Sequence, residues 1–80
     1  MFYTYILRSE KTGRYYYGHT KDLYGRLKQH NAGKVHSTKG YRPWVIHYYE
    51  KFPTKSQAFQ REMYFKRIEG RIWLKSRGII

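Results

Sequence analysis

Residues 2–19, FYTYILRSEKTGRYYYGH, decide the fold. Phe2 to Leu7 and Arg14 to His19 are two runs of β-branched and aromatic residues, and the turn-like Ser9-Glu10-Lys11-Thr12-Gly13 lies between them. This pattern predicts a β-hairpin. Side chains alternate along a strand, so Tyr3, Tyr5 and Leu7 share one face, as do Tyr16 and Gly18 on the second strand. Pairing residue 5 with residue 16 sets Tyr5 beside Tyr16. A one-residue change in the turn pairs Tyr5 with Tyr17 instead, and alternation alone leaves that register open.

Downstream, Thr20-Lys21-Asp22 offers an N-cap, Leu23, Leu27 and His30 follow at i, i+4, i+7, and Asn31-Ala32-Gly33 supplies a stop. These signals predict a helix of about ten residues, in which Gly25 costs roughly 1 kcal/mol relative to Ala. From Gly33 to Arg42 periodicity disappears and a surface loop is expected, carrying Lys34, His36, Lys39 and Arg42. Pro43 closes it, and Trp44 to Glu50 reads as a third strand. Thr54 and Gln57 are placed for a capping box at the start of a second helix. Ala58, Phe65, Ile68 and Ile72 form its stripe, widened by Phe59 and Met63, with Gly70 separating it from a short final helix carrying Ile72, Trp73 and Leu74. The predicted order is β-β-α-β-α-α, a single α+β domain over residues 1–80.

Seventeen Lys and Arg against five Asp and Glu give a net charge of +12. Such an excess is costly in self-repulsion and implies an acidic partner, with nucleic acid the first choice. The cations are spread along the chain and do not line one amphipathic helix, so a membrane surface fits less well. No leader-like segment and no long apolar run is present, which predicts a cytoplasmic protein. There is no Cys, hence no disulfide framework and no thiolate metal site. Aromatic residues make up 20% of the chain and offset its small size, since each large ring buries much area while keeping a polar tip. Nothing in the sequence marks an oligomeric interface; a monomer or weak homodimer is expected.

Arg26 and His30 fall on or beside the apolar stripe of the first helix. A charged Arg there must pair, line an opening or extend its head to water. Glu62 sits four residues after Ala58 and three before Phe65, on a stripe expected to pack inward. A lone carboxylate there is either a salt-bridge partner or a ligand for a hard cation. No GxxxxGK[ST] or GxGxxG phosphate cradle occurs, and the four His have neither HExxH nor zinc-finger spacing.

Taken together, the chain resembles the GIY-YIG nuclease family, in particular its small single-domain members related to the UPF0213 group. Tyr3-Thr4-Tyr5 stands where the GIY triplet would and Tyr16-Tyr17-Gly18 where YIG would. Thr20-Lys21-Asp22-Leu23 leads into Arg26-Leu27-x-x-His30-Asn31-x-Gly33, and Arg61-Glu62 opens the last matching segment. The first Gly and the Ile of both motifs are replaced, and no Asn follows Glu62. The resemblance implies a three-stranded antiparallel sheet flanked by helices and a metal-dependent hydrolysis of DNA phosphodiesters. It implies that Glu62 holds Mg²⁺ or Mn²⁺, that Tyr5 takes the proton of the attacking water directly or by relay, and that Arg26 grips the phosphoryl group. Tyr16 and His30 complete the network around the nucleophile. Glu62 is then expected on the sheet face that carries Tyr5, Tyr16 and Arg26. Lys34, Lys39, Arg42 and Lys66 are the expected contacts to DNA, with RNA also compatible with the charge. The alternative is a non-catalytic nucleic-acid-binding module of the same fold, which needs the basic surface but neither Glu62 nor Tyr5.

Overall fold

In a computed structural model covering residues 1–80, the hairpin consists of β1 (Phe2–Ser9) and β2 (Tyr15–Thr20). Ser9 shapes the turn. Its N–H donates to the Arg14 carbonyl at 2.8 Å, while its Oγ accepts from the N–H groups of Lys11 and Thr12. The five-residue connection sets a register different from both sequence alternatives: Tyr5 faces Gly18, and Tyr16 faces Leu7. Tyr5 and Tyr16 still share a sheet face, but as diagonal neighbours.

β3 (Trp44–Phe52) adds to the other side of β1, giving an antiparallel sheet of order β2-β1-β3. Ile6 pairs with Tyr48 and Leu7 with Ile46, so His47 is an extra residue bulged out of the ladder. The bulge reverses the alternation of β3. Trp44 and Ile46 pack on the face of Tyr5 and Leu7, whereas Tyr48 packs on the face of Ile6.

Each face has its own helical cover. α1 (Leu23–Asn31) starts at Asp22, whose side chain caps the Gly25 N–H, and buries Leu23 against Tyr5, Leu7 and Trp44. Its far end is tied to β3 by Asn31, which donates to the Trp44 carbonyl at 2.9 Å and accepts from the Trp44 N–H at 2.7 Å. The loop that follows contains one turn of 3₁₀ helix, Lys39–Tyr41. On the opposite face lie α2 (Lys55–Lys66) and α3 (Ile68–Ser76), with Phe65 and Leu74 packed on Ile6. Thr54 caps α2 by accepting from the Gln57 N–H, and Thr4 Oγ1 donates to the Ala58 carbonyl at 2.7 Å. No helix is long and apolar enough to cross a membrane.

The predicted stripe through Ile68 and Ile72 does not hold, because both are exposed. α2 ends three residues earlier than the stripe suggested, at Arg67, which is extended at φ −89°, ψ 163°. α3 then turns across α2, and Gly70 lies inside it at the point of contact rather than between helices. A Cβ built on Gly70 would lie 1.8 Å from the Tyr64 carbonyl oxygen. Arg61 clamps the pair: it donates to Glu50 at 2.8 Å, and its guanidinium lies 4.5 Å from the Trp73 ring and 4.8 Å from that of Phe65.

In most helices Gly→Ala stabilises by about 1 kcal/mol. Here the sign reverses. Gly70→Ala has to push backbone apart and should lose about 3 kcal/mol in urea unfolding, the upper range for overpacking. Gly40→Ala, with no atom within 4 Å of the added carbon, serves as the neutral control.

Candidate active site

Tyr5 lies buried on the central strand with its ring leaning across β2. It fits because residue 18 has no side chain; a Cβ there would stand 2.4 Å from the Tyr5 hydroxyl. That hydroxyl lies 3.0 Å from His30 Nε2, and His30 Nδ1 lies 2.8 Å from Thr38 Oγ1. Thr38 Oγ1 in turn lies 3.3 Å from the Val35 carbonyl, which can only accept. Reading outward from that carbonyl assigns the protons. Thr38 donates to Val35 and accepts from Nδ1–H, leaving Nε2 bare to accept the Tyr5 proton. Tyr16 closes the group, its ring centroid 5.0 Å from His30 and 6.4 Å from Tyr5.

Burial raises the Tyr5 pKa from 10.0 to about 12. The Arg26 guanidinium opposes that rise by hydrogen bonding and charge, while neighbouring Tyr16 and Glu62 add to it. Burial, helped by the Arg26 charge, lowers His30 from 6.5 to about 4. At neutral pH the pair is therefore a neutral phenol donating to a neutral imidazole. Arg26 itself, half-buried, donates from Nη1 to Gln29 Oε1 at 2.8 Å. It lines an open cleft of about 480 Å³ together with His19, Lys21, Gln29 and Lys55.

Four of the five expected site residues thus come together: Tyr5, Tyr16, Arg26 and His30. Glu62 does not share their sheet face. It projects from α2 on the opposite face, because β1 alternates and Thr4, not Tyr5, meets α2. Its Oε1 lies 2.7 Å from His19 Nδ1 and its Oε2 the same distance from Lys66 Nζ. The link to the other residues runs round the edge strand. His19 holds Glu62 with one nitrogen and lines the Arg26 cleft, and the Glu62 charge reaches Tyr5.

Of the expected DNA contacts, Lys34, Lys39 and Arg42 fall in one loop. Arg42 folds back, its Nε donating to the Lys39 carbonyl at 2.7 Å and its guanidinium lying over Gly33. Lys66 stands apart at the end of α2, paired to Glu62. Sequence reasoning missed His19, although its place beside Gly18 offered a signal. It also missed Thr38, whose aperiodic loop offered none, and the cleft lysines Lys21 and Lys55.

Comparison with known proteins follows the same lines. The GIY-YIG catalytic domain profile matches residues 1–75. A UPF0213 protein of Bacillus licheniformis is 43% identical over 67 residues, which cover 82% of this chain and 68% of that protein. UPF0213 protein YazA of Bacillus subtilis is 44% identical over 59 residues, covering 72% of this chain but only 60% of YazA. A UPF0213 protein of Halobacterium salinarum is 35% identical over 69 residues, 85% of this chain and 88% of that one. The solution NMR structure of a UPF0213 protein from Bacillus halodurans superposes with a TM-score of 0.54 at 32% identity, over 95% of this chain and 84% of that one.

The His30 shift has a direct thermodynamic consequence. Its folded pKa, about 4, lies below the unfolded 6.5, so between these values the unfolded chain binds the extra proton. Stability from the neutral imidazole is complete above pH 6.5 and should fall as pH drops toward 4. Thermal melts across this window should show that loss in the wild type. In His30→Gln, which cannot titrate, the same window should be flatter.

Proposed function

The chain belongs to the GIY-YIG catalytic-domain family, and from that premise we propose that it is an endonuclease hydrolysing DNA phosphodiester bonds with Mg²⁺ or Mn²⁺. The observation that carries this reading is the buried Tyr5 hydroxyl, hydrogen-bonded to a bare imidazole nitrogen beside an Arg that opens onto a basic cleft. A buried tyrosine hydroxyl needs some partner in any case; packing alone does not call for an uncharged imidazole acceptor beside a cleft-lining Arg.

A phenol with a pKa near 12 is a weak base at neutral pH, and a free phenolate is not accessible. The hydrogen bond supplies another route. Tyr5 takes the proton of the attacking water at its oxygen while passing its own to His30 Nε2, so no phenolate accumulates. In the resting protein burial, and to a lesser degree the Arg26 charge, disfavours imidazolium. A phosphate bound to Arg26 offsets the smaller of these two causes, so substrate occupancy moves His30 part of the way toward accepting the proton. Arg26 grips the phosphoryl oxygens with its planar fork and stabilises the charge that develops there.

Glu62 fits the metal in donor chemistry. Mg²⁺ binds through one or two carboxylates and completes its shell with water and phosphate oxygens. Lys66, half-exposed on a flexible stem, is able to leave Oε2 for a phosphate, while His19 keeps Oε1 oriented. Once bound, the ion supplies polarisation of the scissile phosphate and charge compensation at the leaving oxygen. Lys34, Lys39, Arg42 and Lys66 contribute phosphate contacts along the duplex.

A second reading, a DNA-binding module without catalysis, draws on one observation: both Glu62 oxygens already have partners on the far face of the sheet. Plasmid nicking separates the two. On the nuclease reading, EDTA abolishes cleavage and Glu62→Ala removes the response to metal. Arg26→Ala should keep binding and lose about 10²–10³ in turnover, as when one oxyanion-type donor is deleted. Tyr5→Phe, which keeps the ring, should also be impaired; if it and Glu62→Ala both cut like the wild type, the nuclease assignment fails.

DNA affinity should fall steeply with salt. With roughly 5–7 phosphates contacted, log K against log[salt] should slope at about −4.5 to −6. Replacing Lys34, Lys39 and Arg42 together should flatten the slope by about one per lost contact.

A further inference from the structure

α1 covers only part of the sheet face that carries Tyr5. Beyond its first turn Lys51 is exposed and its cross-strand neighbour Tyr3 is half-buried, with Tyr49 on the next row. Tyr24, projecting from α1, forms the opposite wall of a cleft of about 280 Å³ lined by Tyr3, Lys21, Tyr24, Tyr49 and Lys51. Tyr24 and Tyr49 are 68% and 43% exposed, so neither ring is explained by the core.

Three features select what this cleft would take. Tyr49 is the direct β-partner of Tyr5, which places the cleft on the same sheet row as the site. Lys21 lines both this cleft and the one that holds Arg26, so the two are contiguous around the start of α1. The cleft's one acid, Asp22, is engaged as the helix cap, accepting from the Gly25 N–H at 3.1 Å. What remains is ring faces flanked by two lysines. Aromatic platforms with adjacent cations bind the bases and backbone of single-stranded nucleic acid. In an uninterrupted duplex, bases are stacked on one another and offer the rings nothing.

We propose that this cleft is a base-stacking site for an unpaired nucleotide, which Tyr24 and Tyr49 hold while Lys21 contacts its phosphate. The preferred ligand is then a DNA strand with unpaired nucleotides, such as a single strand or an overhang. Placing the neighbouring phosphate against Arg26 rests on the nuclease reading above; the stacking site itself does not.

The test is therefore a binding experiment in EDTA, in which cleavage plays no part. Polarisation of a labelled oligo-dT strand and of a blunt hairpin duplex is measured for wild type, Tyr24→Ala, Tyr49→Ala and Tyr24→Phe, with 2-aminopurine in the single strand as a stacking probe. Each Ala substitution should weaken single-strand binding on the order of tenfold, the worth of one base–aromatic stack. Tyr24→Phe should keep the affinity, blunt-duplex binding should change little, and the 2-aminopurine quench should be lost with the ring. Tyr24 is exposed on a helix, so Ala there should leave the fold intact. If both Ala variants bind the single strand like the wild type, or lose both ligands equally, the stacking site is refuted.

Discussion

A side chain missing at one position organises this protein. Gly18 leaves room for Tyr5 to lie across the edge strand, and that posture delivers the Tyr5 hydroxyl to His30. His30 is then fixed by Thr38, and the Thr38 carbonyl accepts from the Trp44 indole N–H at 2.9 Å. One continuous chain of hydrogen bonds thus joins the sheet, α1, the following loop and β3. A buried polar group left unpaired costs about 1–3 kcal/mol, so such a network favours complete assembly over partial assembly. No buried side-chain nitrogen or oxygen lacks a partner.

The same geometry gives β2 an unusual duty. Edge strands expose unpaired backbone groups and are normally shielded. Here the residues around the edge draw on both helical layers, Arg26 from α1 on one side and Glu62 from α2 on the other, with His19 between them. The edge is short, six residues, and its surroundings are basic, which discourages pairing with another copy. A phosphate backbone running along it would meet cations from both layers.

Much of this was legible in the sequence, for reasons tied to particular residues. Alternation and propensity revealed three strands and their helices, and the aligned Tyr5, Tyr16, Arg26 and His30 do assemble. The hairpin register was hidden because the Ser9 side chain shapes the turn, and turn geometry outranks alternation. The helix break at Arg67 carries no Gly or Pro; it is imposed by α3 packing back through Gly70. Glu62 looked like a partner of Tyr5 on one face because periodicity reports that a residue points inward, not toward which layer. Thr38 sits where no period exists to be read.

The bulge at His47 has a consequence for how this sequence can change. It works as a phase shift: the residues of β3 before it serve the α1 layer on one parity, and those after it on the other. Straightening the strand while keeping His47 would send either Ile46 and Trp44, or Tyr48 and Glu50, to the wrong side of the sheet, stranding the Glu50–Arg61 pair in the second case. Losing His47 itself would leave plain alternation with every face unchanged. The bulge therefore makes β3 tolerant of losing one particular residue, His47, and intolerant of losing its neighbours along the strand.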